Sequence, residues 1–176
     1  ITQVLFQVAM GILLGAAAGN TLSLSGSIAQ MASHGVILAI LIALVGIIEK
    51  KVGTRELSAL NGLMNPIRGL PVISALLVMG GMASAGIPGM VGFISEFVVF
   101  RGSFLAFPVP TLLCMVGSGL TAVYFLLLVN RAFFGRLATA LPTDKVEPDV
   151  MLPPVAWRDR VPAIVLAIII VVLGLQ

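Results

Sequence analysis

Two side chains in this sequence have the chemistry to carry a proton through an apolar interior, Glu96 and His34. Glu96 sits in Gly92-Phe93-Ile94-Ser95-Glu96-Phe97-Val98-Val99-Phe100, with aromatic and β-branched residues on both sides. A carboxylate held in membrane is costly, rare and functional by default. Out of water, burial favours the neutral acid over the ion, which lets the group load and release a proton near neutral pH. The plain structural alternative is an ion pair with Arg101 at the membrane edge, although a spacing of five misses the three or four residues that face one another on a helix. His34, the single histidine, lies in Gln30-Met31-Ala32-Ser33-His34-Gly35. Imidazole both accepts and donates a proton near pH 7. Gln30, Ser33 and His34 could together hold a short line of water, and Gly35 would admit a close neighbour. A lone helical histidine can equally be a satisfied structural residue, and residue type alone leaves both roles open.

Composition sets the medium in which this chemistry must work. Of 176 residues, 59% are hydrophobic and 10% charged, and the mean hydropathy is +1.16. Soluble domains run nearer half apolar and a quarter charged, so a water-soluble globule is excluded and a membrane protein is indicated. The formal net charge of +3 comes from a few basic segments, which read as membrane topology and form no patch for nucleic acid. Cys114 is the single cysteine and lies in an apolar run, so neither a disulfide framework nor a metal cluster is expected. No phosphate-cradling loop is visible either, and the chain is expected to bind no cofactor or metal itself. The Met and Phe residues at helical spacings read as packing and lipid contacts.

The elements that must position Glu96 and His34 follow from the charge-free runs. A spanning helix needs about 20 apolar residues, and nothing formally charged lies between Ile1 and Ile48. The pattern predicts an all-α, polytopic membrane bundle of about five spans, at 1–18, 26–49, 71–107, 109–135 and 160–176, with a turn-rich hinge at 19–26. Residues 1–135 form the helical body, 136–159 a proline-containing surface connector, and 160–176 a last span. The segments after the second and fourth spans hold Lys50, Lys51, Arg55, Arg68, Arg131, Arg136, Lys145, Arg158 and Arg160, and only Arg101 falls on the other side. The positive-inside rule assigns that basic side to the cytoplasm or its equivalent. Trp157 suits an interfacial position. The sequence starts without Met and stops within an apolar run, so a piece of a longer polytopic protein is expected.

The third span cannot be one straight helix. At 1.5 Å per residue, 71–107 would extend about 55 Å against a hydrocarbon core of about 30 Å. Ala83-Ser84-Ala85-Gly86-Ile87-Pro88-Gly89-Met90 is the predicted interruption. Pro88 removes a backbone donor, while Gly86 and Gly89 tolerate unwound dihedrals. Unwound backbone at membrane depth must be buried in protein or line a wet cavity, and broken helices mark ion sites in transporters. A proline kink in an ordinary packed helix remains the simpler alternative.

Several motifs, in order along the chain, carry a resemblance. Gln30 to Gly35, Glu49 to Lys51, Thr54-Arg55-Glu56-Leu57, Asn61-Gly62-Leu63, Met82 to Gly89 and Gly92 to Phe97 are similar to the C-terminal third of the antiporter-like proton-pumping subunits of complex I and photosynthetic NDH-1. Glutamate at position 96, where sibling subunits usually carry lysine, resembles the chain 4 type. Asn61 to Pro71 looks most like the cyanobacterial form, including variants linked to CO2 uptake.

The resemblance implies a fold of about fourteen helices in two inverted repeats, each with a broken helix, of which this chain would supply most of the second repeat and the following helix. It implies that His34 belongs to a central hydrophilic axis and that Glu96, on the second broken helix, ends the half-channel and exchanges protons away from the cytoplasm. One departure is Ala9 before Met10-Gly11, where many relatives carry histidine. The first-repeat Glu and Lys lie outside this sequence. The implied function is proton translocation coupled to electron transfer elsewhere in an NAD(P)H- or ferredoxin-type quinone oxidoreductase, whose companion membrane subunits are the partners. That complex would contain iron–sulfur clusters and plastoquinone, in a thylakoid membrane or, alternatively, a bacterial plasma membrane. The rivals are a subunit of a multisubunit Na+/H+ antiporter and a purely structural membrane subunit.

Overall fold

A computed structural model describes residues 2–53, 62–64, 70–134 and 155–175, with side chains from Ala9 onward. The described residues are helical throughout apart from turns and short connections, with six helices in chain order. These are α1 (Thr2–Ala17), α2 (Thr21–Val52), α3 (Pro71–Ser84), α4 (Val91–Ser103), α5 (Pro108–Phe133) and α6 (Trp157–Gly174). The basic residues Arg55, Arg68, Arg136 and Lys145, most of the expected connector at 136–159, and Thr54 to Asn61 of the motifs lie outside the described residues.

α2 starts at Thr21 rather than at 26, which shortens the expected hinge to a tight turn. Asn20 is the reason: its side chain caps α2 by accepting from the Ser23 amide at 2.8 Å. Ser23 and Ser25 then bond back to the carbonyls of Asn20 and Leu22, so turn-forming residue types are absorbed into the first helical turn. At 32 residues α2 is about 48 Å long. Both α2 and α5 are long and apolar enough to cross a bilayer.

α3 and α4 are the halves of the discontinuous span. With 14 and 13 residues, they reach only about 20 Å each, short of a bilayer core. Residues 85–90 connect them, with Gly86 at φ +69° and Gly89 at φ +90° on either side of Pro88. Both glycines hold a left-handed conformation that Cβ-bearing residues disfavour. Pro71 and Pro108 stand in the first turns of α3 and α5, where a missing backbone donor costs nothing.

α2 is the spine, and the stripe it buries changes character along its length. Its first half buries Ser23, Gly26, Ser27, Gln30, Ser33 and His34, and its second half Ile37, Ile40, Leu44, Ile48 and Val52. The apolar half builds the core with Ile73 and Leu77 of α3, Ala132 and Phe133 of α5, and Ala163, Ala167 and Ile170 of α6. The polar half lies antiparallel to α4. A Cβ on Gly26 would come 2.7 Å from the Val99 amide, and one on Gly102 2.6 Å from the Ser23 amide. Small residues let two membrane helices approach closely and exchange polar contacts. Asn20 also donates to the Gly102 carbonyl at 2.7 Å, tying the α1–α2 turn to the end of α4. Most of α5 shows Leu113, Val116, Leu120, Val123, Leu126 and Leu127 outward, as a surface facing lipid or companion helices does.

Candidate functional site

The polar half of α2, the break and the middle of α5 converge on Glu96. The acid stands in the second turn of α4 and is 7% exposed, although Phe97 beside it is 51% exposed. Antiparallel packing against α2 turns the Ser95–Glu96 edge of α4 inward. Ser118 on α5 donates to Glu96 Oε2 at 2.7 Å, and the Gln30 side chain on α2 stands beside the carboxyl group in the wall of the same cavity. The break supplies the floor, because a Cβ on Gly86 would lie 2.8 Å from Oε2. Side chains from two other helices and one backbone turn therefore surround the carboxyl group. Its partners are Ser118 and Gln30, and Arg101 stands exposed near the end of α4.

His34 is buried at 4% exposure, one helical turn beyond Gln30 on the same face of α2. Neither ring nitrogen has a hydrogen-bond partner among the described residues, and neither does Gln30 Oε1. Buried polar groups are ordinarily paired, so this stripe holds acceptor and donor capacity that the packed protein does not use. Ser33, which the sequence grouped with Gln30 and His34 as a water-holding line, instead meets Ser95 across the α2–α4 contact at 2.9 Å. Ser95 also donates to the Gly92 carbonyl at 3.0 Å. The structure thus brings Gln30 directly to Glu96. It places His34 a turn away, without a direct hydrogen bond to the acid.

Ser118 is the site residue that sequence reasoning missed. Its signal was present as Gly117-Ser118-Gly119, a small polar interruption in an otherwise apolar helix. Nothing along the chain says which face of α5 that serine presents. Met10 and Gly11, next to the departure at Ala9, line a cavity of about 430 Å³ together with Gln30 and Glu96. Gly86 and Pro88 occupy the turn itself, Gly86 against the carboxylate and Pro88 exposed.

A membrane-type helix bundle with a broken span and a carboxyl group buried behind the break defines the antiporter-like class of membrane subunits. Comparison with known proteins agrees. Residues 8–121 match the family described as NADH:quinone oxidoreductase/Mrp antiporter, TM. The chain belongs to this family of integral membrane subunits. It is 38% identical over 124 residues to F(420)H(2) dehydrogenase subunit M of Methanosarcina mazei, covering 70% of this chain and 24% of the relative. It is 39% identical over 130 residues to NAD(P)H-quinone oxidoreductase chain 4 1 of Synechococcus elongatus, again covering 70% and 24%. The chain therefore spans about a quarter of the length of these curated relatives. Its fold is similar to the structure of the Mrp complex from Dietzia sp. DQ12-45-1b, with a TM-score of 0.77 at 22% identity over 93% of this chain and 37% of that one.

Proposed function

We propose that the chain is the proton-translocating part of a membrane subunit in a quinone oxidoreductase complex, with Glu96 as the proton-carrying acid and His34 on the route that supplies it. The observation that carries the reading is the seat of Glu96. The carboxyl group is buried at a helix break, bonded by Ser118 from one helix and flanked by Gln30 from another. An acid placed for bracing alone would be expected to meet a cation, whereas hydroxyl and amide partners leave it free to exist in either protonation state. On α2, Gln30 Oε1 and the two His34 nitrogens, which have no partner among the described residues, extend the polar stripe away from Glu96, as a hydrogen-bonded relay requires.

Electron transfer belongs to companion subunits in this reading, with iron–sulfur clusters and plastoquinone or another quinone held there. Relatives of similar identity are named for different donors, F(420)H(2) and NAD(P)H, which supports a membrane element that does not itself select the donor. In this reading the membrane is a cyanobacterial thylakoid, including the CO2-uptake forms, or alternatively a bacterial plasma membrane. Redox chemistry elsewhere shifts the charge near His34, and the proton moves along α2 to Glu96.

A second reading is favoured by the likeness to the Mrp complex, namely a subunit of a multisubunit Na+/H+ antiporter. The two are separated in sealed vesicles carrying the assembled complex. Proton uptake that follows quinone reduction and ignores sodium supports the oxidoreductase. Uptake driven by an imposed sodium gradient without quinone turnover supports the antiporter.

A further inference from the structure

The Glu96 carboxyl group lies on the boundary between two cavities, and its two partners line different ones. The larger, about 430 Å³, opens among α1, α2, α4 and α5 and has Gln30 in its wall. The smaller, about 290 Å³, lies among the 85–90 turn, α4 and α5 and has Ser118 in its wall. Glu96 and Phe100 line both, while Gln30 is confined to the first and Ser118 to the second. In the smaller cavity Ser118 is the one other polar side chain beside the acid among the described residues. The Phe93 and Phe97 rings, stacked with centroids 5.8 Å apart, form part of its wall.

We propose that Ser118 is the positioning residue for proton release, holding the Glu96 carboxyl group toward the cavity behind the helix break so that protons arrive on the Gln30 side and leave on the Ser118 side. This deepens the reading of Glu96 as a proton carrier and rests on it. In the release step the O–H bond of neutral Glu96 breaks and its proton passes to a water molecule entering the smaller cavity, giving hydronium. The electron pair stays on the carboxylate, whose Oε2 accepts from the Ser118 hydroxyl. A donor aimed at a carboxylate stabilises the ionised product of that step. A cavity of this size admits several water molecules, and its apolar walls leave the acid and the hydroxyl as the groups that orient them.

The test uses the full complex in sealed vesicles, with Ser118→Ala, Ser118→Thr and Ser118→Cys. Pumping per electron transferred is read beside the infrared carbonyl band of protonated Glu96, assigned by its disappearance in Glu96→Gln. Ser118→Ala should lower pumping on the order of tenfold, the scale of losing one hydrogen bond to a charged group, and move the band to higher wavenumber. Ser118→Thr should restore both. Ser118→Cys, a weaker donor of similar size, should fall between and serves if the alanine variant does not assemble. Normal pumping and an unmoved band in the Ser118 variants, with pumping abolished in Glu96→Gln, overturn the role of Ser118 alone. Normal pumping in Glu96→Gln overturns the proton-carrier reading and this inference with it.

Discussion

The hydroxyls of Ser33 and Ser95, 62 residues apart in sequence, meet at 2.9 Å in the buried contact between α2 and α4. Each immediately precedes a candidate proton carrier, His34 in one helix and Glu96 in the other. The pair therefore fixes the register in which the two helices present those residues. A double-mutant cycle with Ser33→Ala and Ser95→Ala should give a coupling of about 1 kcal/mol in thermal stability of the detergent-solubilised complex. Strict additivity would remove this contact as a determinant of register.

Glu96→Gln preserves shape and one acceptor oxygen but removes titration. Assembly should be unchanged, as read by subunit composition on native gels. Proton pumping should be abolished and coupled quinone turnover reduced. Wild-type pumping in this variant would falsify the relay role.

His34→Met replaces a buried imidazole, unpaired at both nitrogens among the described residues, with an apolar side chain of similar bulk. The variant should be as stable as the parent in a melting assay, yet pump at least tenfold more slowly. Loss of stability together with intact pumping would identify His34 as structural.

Gly86→Ala and Gly89→Ala separate backbone strain from carboxylate seating. Both residues have positive φ, so each substitution should cost about 1–2 kcal/mol in strain. Only at Gly86 does the new Cβ meet Glu96, and around Gly89 nothing lies within 4 Å. Melting temperatures should fall by similar amounts, while pumping falls much further in Gly86→Ala. Equal pumping losses would show that the turn acts only through its backbone.

Close approach of α2 and α4 can be tested at Gly26. A Cβ there would press on the Val99 amide at 2.7 Å, whereas Gly35 and Gly117 have open space around them. Gly26→Val should prevent stable assembly, and Gly35→Ala and Gly117→Ala should leave yield and melting temperature near those of the parent. Tolerance of valine at position 26 would contradict the tight helix contact.

Much of this molecule was legible along the chain because the governing physics is local. Long apolar runs with few charges specify membrane helices. A 37-residue apolar stretch containing Gly86, Pro88 and Gly89 cannot stay one straight helix, and a carboxylate within it stands out at once. Where local reading failed, it failed at a cap. Residues 19–26 look like a hinge by type, but Asn20 and the serines satisfy the first turn of α2 and extend the helix to Thr21.

What the sequence could not decide is which groups meet. Ser118 and Glu96 are 22 residues apart and Gln30 and Glu96 are 66 apart, on helices whose rotation about their axes is set by packing. Gly26 against Val99 and Gly102 against Ser23 bring α4 onto the polar half of α2, and that contact turns Glu96 inward while Phe97 faces out. The sequence determined that an acid would be held out of water. Only the tertiary structure decided that it would lie between an amide and a hydroxyl, because those partners are set by the rotation and register of neighbouring helices and not by any pattern along one of them.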